Sequence, residues 1–140
     1  MLNTEFKPDV LNDTRWTKVE KAYITASKYF TLFSAKDLEG LDEMFDSKAT
    51  LRDWDIEAFG KSNIFIAMKD VFDSVESIEV NPIEMGCWAN MELLNEEGDE
   101  PIRIVAELEI TIDKTEKISV VDIIEFTNDY KIRGIKAFKG

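Results

Sequence analysis

The stretch IRIVAELEITID, residues 102–113, decides the fold class. Ile102, Ile104, Ala106, Leu108, Ile110 and Ile112 alternate with Arg103, Glu107, Glu109 and Asp113. A period of two sends successive side chains to opposite faces, so the segment reads as a half-buried β-strand. The same reading extends outward. Lys117–Phe126 and Tyr130–Phe138 form an expected hairpin around Thr127, Asn128 and Asp129. On the other side, Asn95–Asp99 reads as a turn, and 75–85 and 87–94 as two further strands. ATLRDWD, 49–55, is predicted as a strand with Leu51, Asp53 and Asp55 on one side and Arg52 and Trp54 on the other.

Helical spacing dominates the first half. Residues 1–12 are polar and read as a loosely held lead-in. Thr17-Lys18-Val19-Glu20 fits a capping box, with Asp13 and Thr14 as alternative caps. A long helix is predicted from about Thr14 to Ala35, with an apolar stripe of Trp16, Val19, Tyr23, Ala26, Phe30 and Phe33 and with Tyr29 beside it. Asp37 is placed to cap a second helix, Leu38–Phe45. Gly60 precedes a third, whose apolar face is Ile64, Ala67, Met68, Val71 and Phe72. Early helices and late strands indicate an α+β domain: three N-terminal helices packed on one curved antiparallel sheet, an arrangement able to enclose a pocket.

The bulk composition narrows the function. A chain of 140 residues, 44% apolar and 33% charged, is expected to fold as one domain over 1–140. No apolar run approaches a bilayer span, and the first ten residues lack a basic region followed by an apolar run, so neither a membrane segment nor a leader peptide is expected. Net charge is −12, which argues against nucleic acid as a partner. Cys87 is the single cysteine, so no intrachain disulfide can form; a reducing, cytoplasmic setting is the expectation. There is no histidine, which excludes Ser-His-Asp triads, Cys-His pairs and HExxH metal sites. Acid–base work falls to carboxylates, tyrosine, lysine or the thiol. The run Glu96–Glu100 reads as a solvated turn, without the ligand spacing of a calcium loop.

Three side chains stand out. Asp122 lies in SVVDIIEF, on the strand face that also carries Ile118, Val120, Ile124 and Phe126. Burial raises a carboxyl pKa, and a protonated aspartate can donate a hydrogen bond to an oxyanion in a dry site. The structural alternative is an aspartate satisfied by backbone, Arg or Lys. Asp53 could act as a general base at a pocket wall, or could be a strand-end residue facing water or pairing with Arg52 or Lys61. Tyr29 is either an ordinary core tyrosine or a hydroxyl donor. Cys87 and Trp88 could line a cavity.

Taken together these residues resemble Δ5-3-ketosteroid isomerase, within the nuclear transport factor 2-like (SnoaL-like) superfamily. The resemblance runs from about Lys28 to Phe138, through SKYFTLFSAKDLEGL, ATLRD, VVDIIEF and KIRGIKAF; 81–100 resists alignment. It implies a cystatin-like cone with a curved mixed or antiparallel sheet. It implies Asp53 as general base, with Tyr29 and protonated Asp122 as the oxyanion donors. Phe33, Trp54, Met68, Val120 and Ile124 are the expected pocket lining. No metal and no cofactor are implied. The implied partners are a small hydrophobic carbonyl compound and a second copy of the chain, paired through the sheet. Isomerisation or SnoaL-like aldol cyclisation is the implied chemistry; a non-catalytic ligand-binding protein of the same fold is the alternative. The sequence departs from the family pattern at several positions. Phe45 and Met68 stand where supporting tyrosines are common, Trp54 where proline is expected, and Lys139 in place of a pocket tryptophan.

Overall fold

The computed structural model describes residues 14–89 and 101–140. The lead-in, the Asp13 cap, the 95–99 turn, the Glu96–Glu100 run and the end of the 87–94 strand lie outside the described residues.

Helix α1 spans Thr14–Ser34. Its buried face is Val19, Ala22, Ala26, Tyr29 and Phe30, a three- and four-residue spacing. The two alanines let α1 lie close to the sheet. Two expectations fail here. Trp16 lies before this face and is 51% exposed. Thr17–Glu20 is already inside the helix, so it forms no capping box. The far end closes in a Schellman motif. Lys36 takes a left-handed φ of 55°. Its N–H donates to the Phe33 carbonyl, and the Asp37 N–H donates to that of Leu32. Ser34 Oγ then accepts from the Val80 N–H at 2.8 Å, tying the helix end to the sheet.

Helix α2 is short, Leu38–Asp42, capped by the Asp37 carboxylate, which accepts from the Gly40 N–H at 2.9 Å. It stops before the expected Phe45. That residue begins strand β1, Phe45–Arg52, because its ring turns inward against Tyr29 and Phe65. Strand β2, Glu57–Phe59, was not expected; it pairs antiparallel with β1. Gly60, at φ 87°, precedes helix α3, Lys61–Ser74, which buries Ile64, Met68 and Phe72.

The remaining strands are β3, Ile78–Trp88; β4, Ile102–Ile112; β5, Glu116–Phe126; and β6, Ile132–Lys139. β3 is one bulged strand where two were expected, because the register shift between Pro82 and Glu84 absorbs the break in alternation. Asp113 and Lys114, both with positive φ, make the tight turn from β4 to β5, matching the twist of the flanking strands. The sheet order is β2-β1-β6-β5-β4-β3. β1 and β6 pair in parallel, and the other neighbours are antiparallel, so the curved sheet is mixed. The core lies between its inner face and the helices, with α1 packed chiefly against β3.

Candidate functional site

Asp122 sits at the middle of β5, on the inner face. Its cross-strand neighbours are Ala106 on β4 and Ala137 on β6. Two alanines flanking one carboxyl leave space where larger residues would fill the core. On the Ala137 side lies a cavity of about 200 Å³, lined by Tyr29, Asp53 and Asp122 together with Trp54, Met68, Val120 and other mainly apolar side chains.

Each polar group is held by its own local structure. Tyr29 is 4% exposed on α1. Its ring is packed by Phe30, Phe33 and Phe45, with centroids 5.5, 5.8 and 6.0 Å away. Phe45 thus supports the Tyr29 ring by edge packing and offers it no hydroxyl. Asp53 follows the last residue of β1. Its Oδ1 accepts from the backbone N–H groups of Asp55 and Ile56, at 2.8 and 2.6 Å. Its own N–H donates to the Ile56 carbonyl at 2.8 Å. This local turn ends the strand alternation, so Trp54, expected on the opposite side from Asp53, lines the same cavity. Neither Arg52 nor Lys61 pairs with Asp53: Arg52 meets Glu57, and Lys61 meets Asp42.

Asp122 is 8% exposed. Burial, with a smaller contribution from the Asp53 charge, lifts its carboxyl from 3.8 to about 7. The Tyr29 phenol is raised well above its ordinary value, first by burial, then by the charges of Asp122 and Asp53. Tyr29 therefore feels both carboxylates, and Asp122 feels Asp53. Among the described residues, neither the Tyr29 hydroxyl nor the Asp122 carboxyl has a hydrogen-bond partner, and no buried side-chain polar atom is sealed away unpaired. Their polar ends must open into the cavity. An aspartate satisfied by backbone, Arg or Lys is thus not what the structure contains.

Among the described residues, no lysine or arginine lines the cavity. Negative charge developing on a bound molecule would meet only neutral donors. Tyr29 supplies one, and Asp122 supplies another when protonated. Among the described residues, no group of three or more His, Cys, Asp or Glu is placed to hold a metal ion. No helix among them is long and apolar enough to cross a membrane.

The cavity gathers Tyr29, Asp53, Asp122, Phe33, Trp54, Met68 and Val120. Ile124 does not line it. That residue is one pleat repeat further along β5, ~7 Å, and is fully buried between Ile104 and Ile135. Cys87 and Trp88 lie on β3 away from the cavity. Ala137, which lines the cavity beside Asp122, was missed from sequence, although it lies in the KIRGIKAF strand already singled out.

No family model and no curated protein matches the sequence. The structure, by contrast, resembles solved proteins across most of its length. A candidate dehydratase of the NTF2-like family from Streptomyces avermitilis matches with a TM-score of 0.74 at 14% identity, covering 89% of this chain and 96% of that one. A candidate ketosteroid isomerase from Kribbella flavida gives 0.63 at 12%, covering 86% and 78%. The orange carotenoid protein of Anabaena, in its form binding canthaxanthin, gives 0.67 at 12%, covering 81% of this chain and 34% of that one. At these identities the likeness establishes the fold, which is NTF2-like.

Proposed function

We propose that this cavity takes a small hydrophobic carbonyl compound and moves a proton on the carbon next to the carbonyl. One observation carries the reading: Tyr29, Asp53 and Asp122 line a single apolar cavity that, among the described residues, no cation lines. Asp53 removes the proton from the α-carbon, and the C–H electron pair becomes an enolate with its charge on oxygen. Tyr29 and protonated Asp122 donate hydrogen bonds to that oxygen. Asp53 then returns the proton to another carbon of the conjugated enolate, giving isomerisation; attack of the enolate carbon on a second carbonyl, whose oxygen becomes an alkoxide and takes up the proton, gives aldol cyclisation instead. A cavity of about 200 Å³ is smaller than the roughly 300–1,000 Å³ of pockets for drug-sized ligands. It suits a compact substrate part.

A second reading has its own support. Asp53 Oδ1 is engaged by the Asp55 and Ile56 N–H groups. A purely structural Asp53 would leave a binding protein in which Tyr29 and Asp122 orient a ligand. Asp53→Asn separates the two, because the amide oxygen can still accept those N–H bonds. Deuterium uptake from heavy water into small β,γ-unsaturated cyclic ketones, followed by NMR, gives the readout. The enzyme reading expects a loss of about 10²–10⁴-fold in rate with phenol binding retained. An unchanged rate would exclude Asp53 as base.

We also propose that the chain pairs with a second copy through the sheet. The outer face of the sheet presents half-buried Val105, Val121 and Ile123 as a contiguous apolar strip.

A further inference from the structure

Beside the cavity mouth, the ends of β1 and β6 form an open groove of about 440 Å³, lined by Arg52, Asp53, Trp54, Lys136, Ala137, Phe138 and Lys139. Asp53, Trp54 and Ala137 belong to both spaces, so the groove adjoins the cavity at the ends of β1 and β6. Among the described residues, the cavity has no cation in its lining, and the groove has three. This concentration occurs in a chain of net charge −12. We propose that the groove holds an anionic group, carboxylate or phosphate, on the end of the substrate that projects from the cavity. This rests on the cavity being a ligand site, as set out above.

Three observations favour it. Arg52 and Lys136 are direct partners on neighbouring strands, and like charges side by side are destabilising unless something offsets them. Acidic side chains offset them poorly. Arg52 reaches Glu57 only at 3.8 Å, with both exposed, and among the described residues Lys136 and Lys139 form no ion pair. Among the described residues, Asp53 is the one acid in the groove, and its Oδ1 is bound to backbone. Second, Lys139 Nζ is 5.8 Å from the centre of the Trp54 ring, which is 42% exposed. A cation–π contact holds that charge beside Trp54, which lines both spaces. Third, the cavity alone is smaller than a typical ligand pocket, and the groove supplies the missing room. An apolar carbonyl head would lie inside, and a charged tail would lie across the β1 and β6 ends.

Matched phenols test this, since a phenol imitates the enolate at Tyr29 and Asp122. Affinities of 4-butylphenol, 4-(4-hydroxyphenyl)butanoate and the corresponding butyl phosphate are measured by calorimetry at low salt. The proposal expects one or both anions to bind about tenfold tighter than butylphenol. The advantage should shrink at high salt. It should vanish in Lys136→Gln/Lys139→Gln, whose butylphenol affinity stays the same and so reports an intact cavity. Which anion gains more identifies the source chemistry. Equal affinities for all three, or an anion preference that survives in the double variant, would overturn the anion groove and leave the cavity reading standing. Failure of every phenol to bind would overturn the cavity reading and this proposal with it.

Discussion

Replacing Asp122 by Asn should stabilise the protein, and by an amount that depends on pH. The folded-state carboxyl lies at about 7 against an ordinary 3.8. Because the folded value is the higher one, the folded protein holds the proton more tightly than the unfolded chain. The contribution of Asp122 to stability is therefore complete below about pH 3.8 and falls as pH rises, levelling off above about 7. The full span corresponds to about 4 kcal/mol, at about 1.4 kcal/mol per pH unit. Asparagine is isosteric and does not titrate. Its own hydrogen-bonding cost is nearly the same at every pH, so it cancels when two pH values are compared. The gain from Asp122→Asn should be larger at pH 8 than at pH 5 by about 2.5 kcal/mol. Urea unfolding of both proteins at the two pH values measures it, with equal m-values as the check that both unfold alike. A gain that is the same at pH 5 and pH 8, or a loss that grows with pH, would refute the picture of a desolvated, unpaired Asp122.

Tyr29→Phe removes a buried hydroxyl with no protein partner, so stability should hold or rise by up to about 1 kcal/mol. Phenol affinity should fall about tenfold in the same variant, by calorimetry; a stability loss above that size would show a structural bond. Lys36→Met should cost about 1.5–3 kcal/mol in urea unfolding. The ammonium donates to the carbonyls of Phe72, Val75 and Glu76 at 2.9, 2.6 and 3.2 Å, closing the end of α3 against the Lys36 turn. A change below about 0.5 kcal/mol would show those bonds to be replaceable by water. Sedimentation at micromolar concentration should find a dimer, and Val121→Glu should give a monomer; a monomeric parent chain would remove the sheet-face pairing.

Much of this site was legible because strand periodicity is rigid. Once Ile102–Ile112 and SVVDIIEF were read as strands, Asp122 had to share a face with Val120 and Ile124, and both are buried with it. The same rigidity misled at Ile124, since a strand face says which way a side chain points and not where the cavity along it ends. Trp54 shows the converse failure. Alternation placed it opposite Asp53, but the Asp53 carboxylate bonds the next backbone amides and ends the strand first. Side-chain-to-backbone bonds of that kind compete with regular structure and are invisible to a period count. Phe45 was read as the last residue of a helix. Long-range packing against Tyr29 and Phe65, together with pairing to Ile132, drew it into β1. The groove beyond the cavity was not legible, because Arg52 and Lys136 are brought together only by the parallel β1–β6 pairing.

The most direct test is a titration of the Asp122 side-chain carboxyl by carbon-detected NMR in the parent chain and in Asp53→Asn. A midpoint near 7 in the parent, lower in Asp53→Asn because the neighbouring charge is gone, would establish a carboxyl able to stand protonated beside Tyr29. A midpoint near the ordinary value of about 3.9 would make Asp122 an ionised residue, unable to donate to an oxyanion, and would contradict the account.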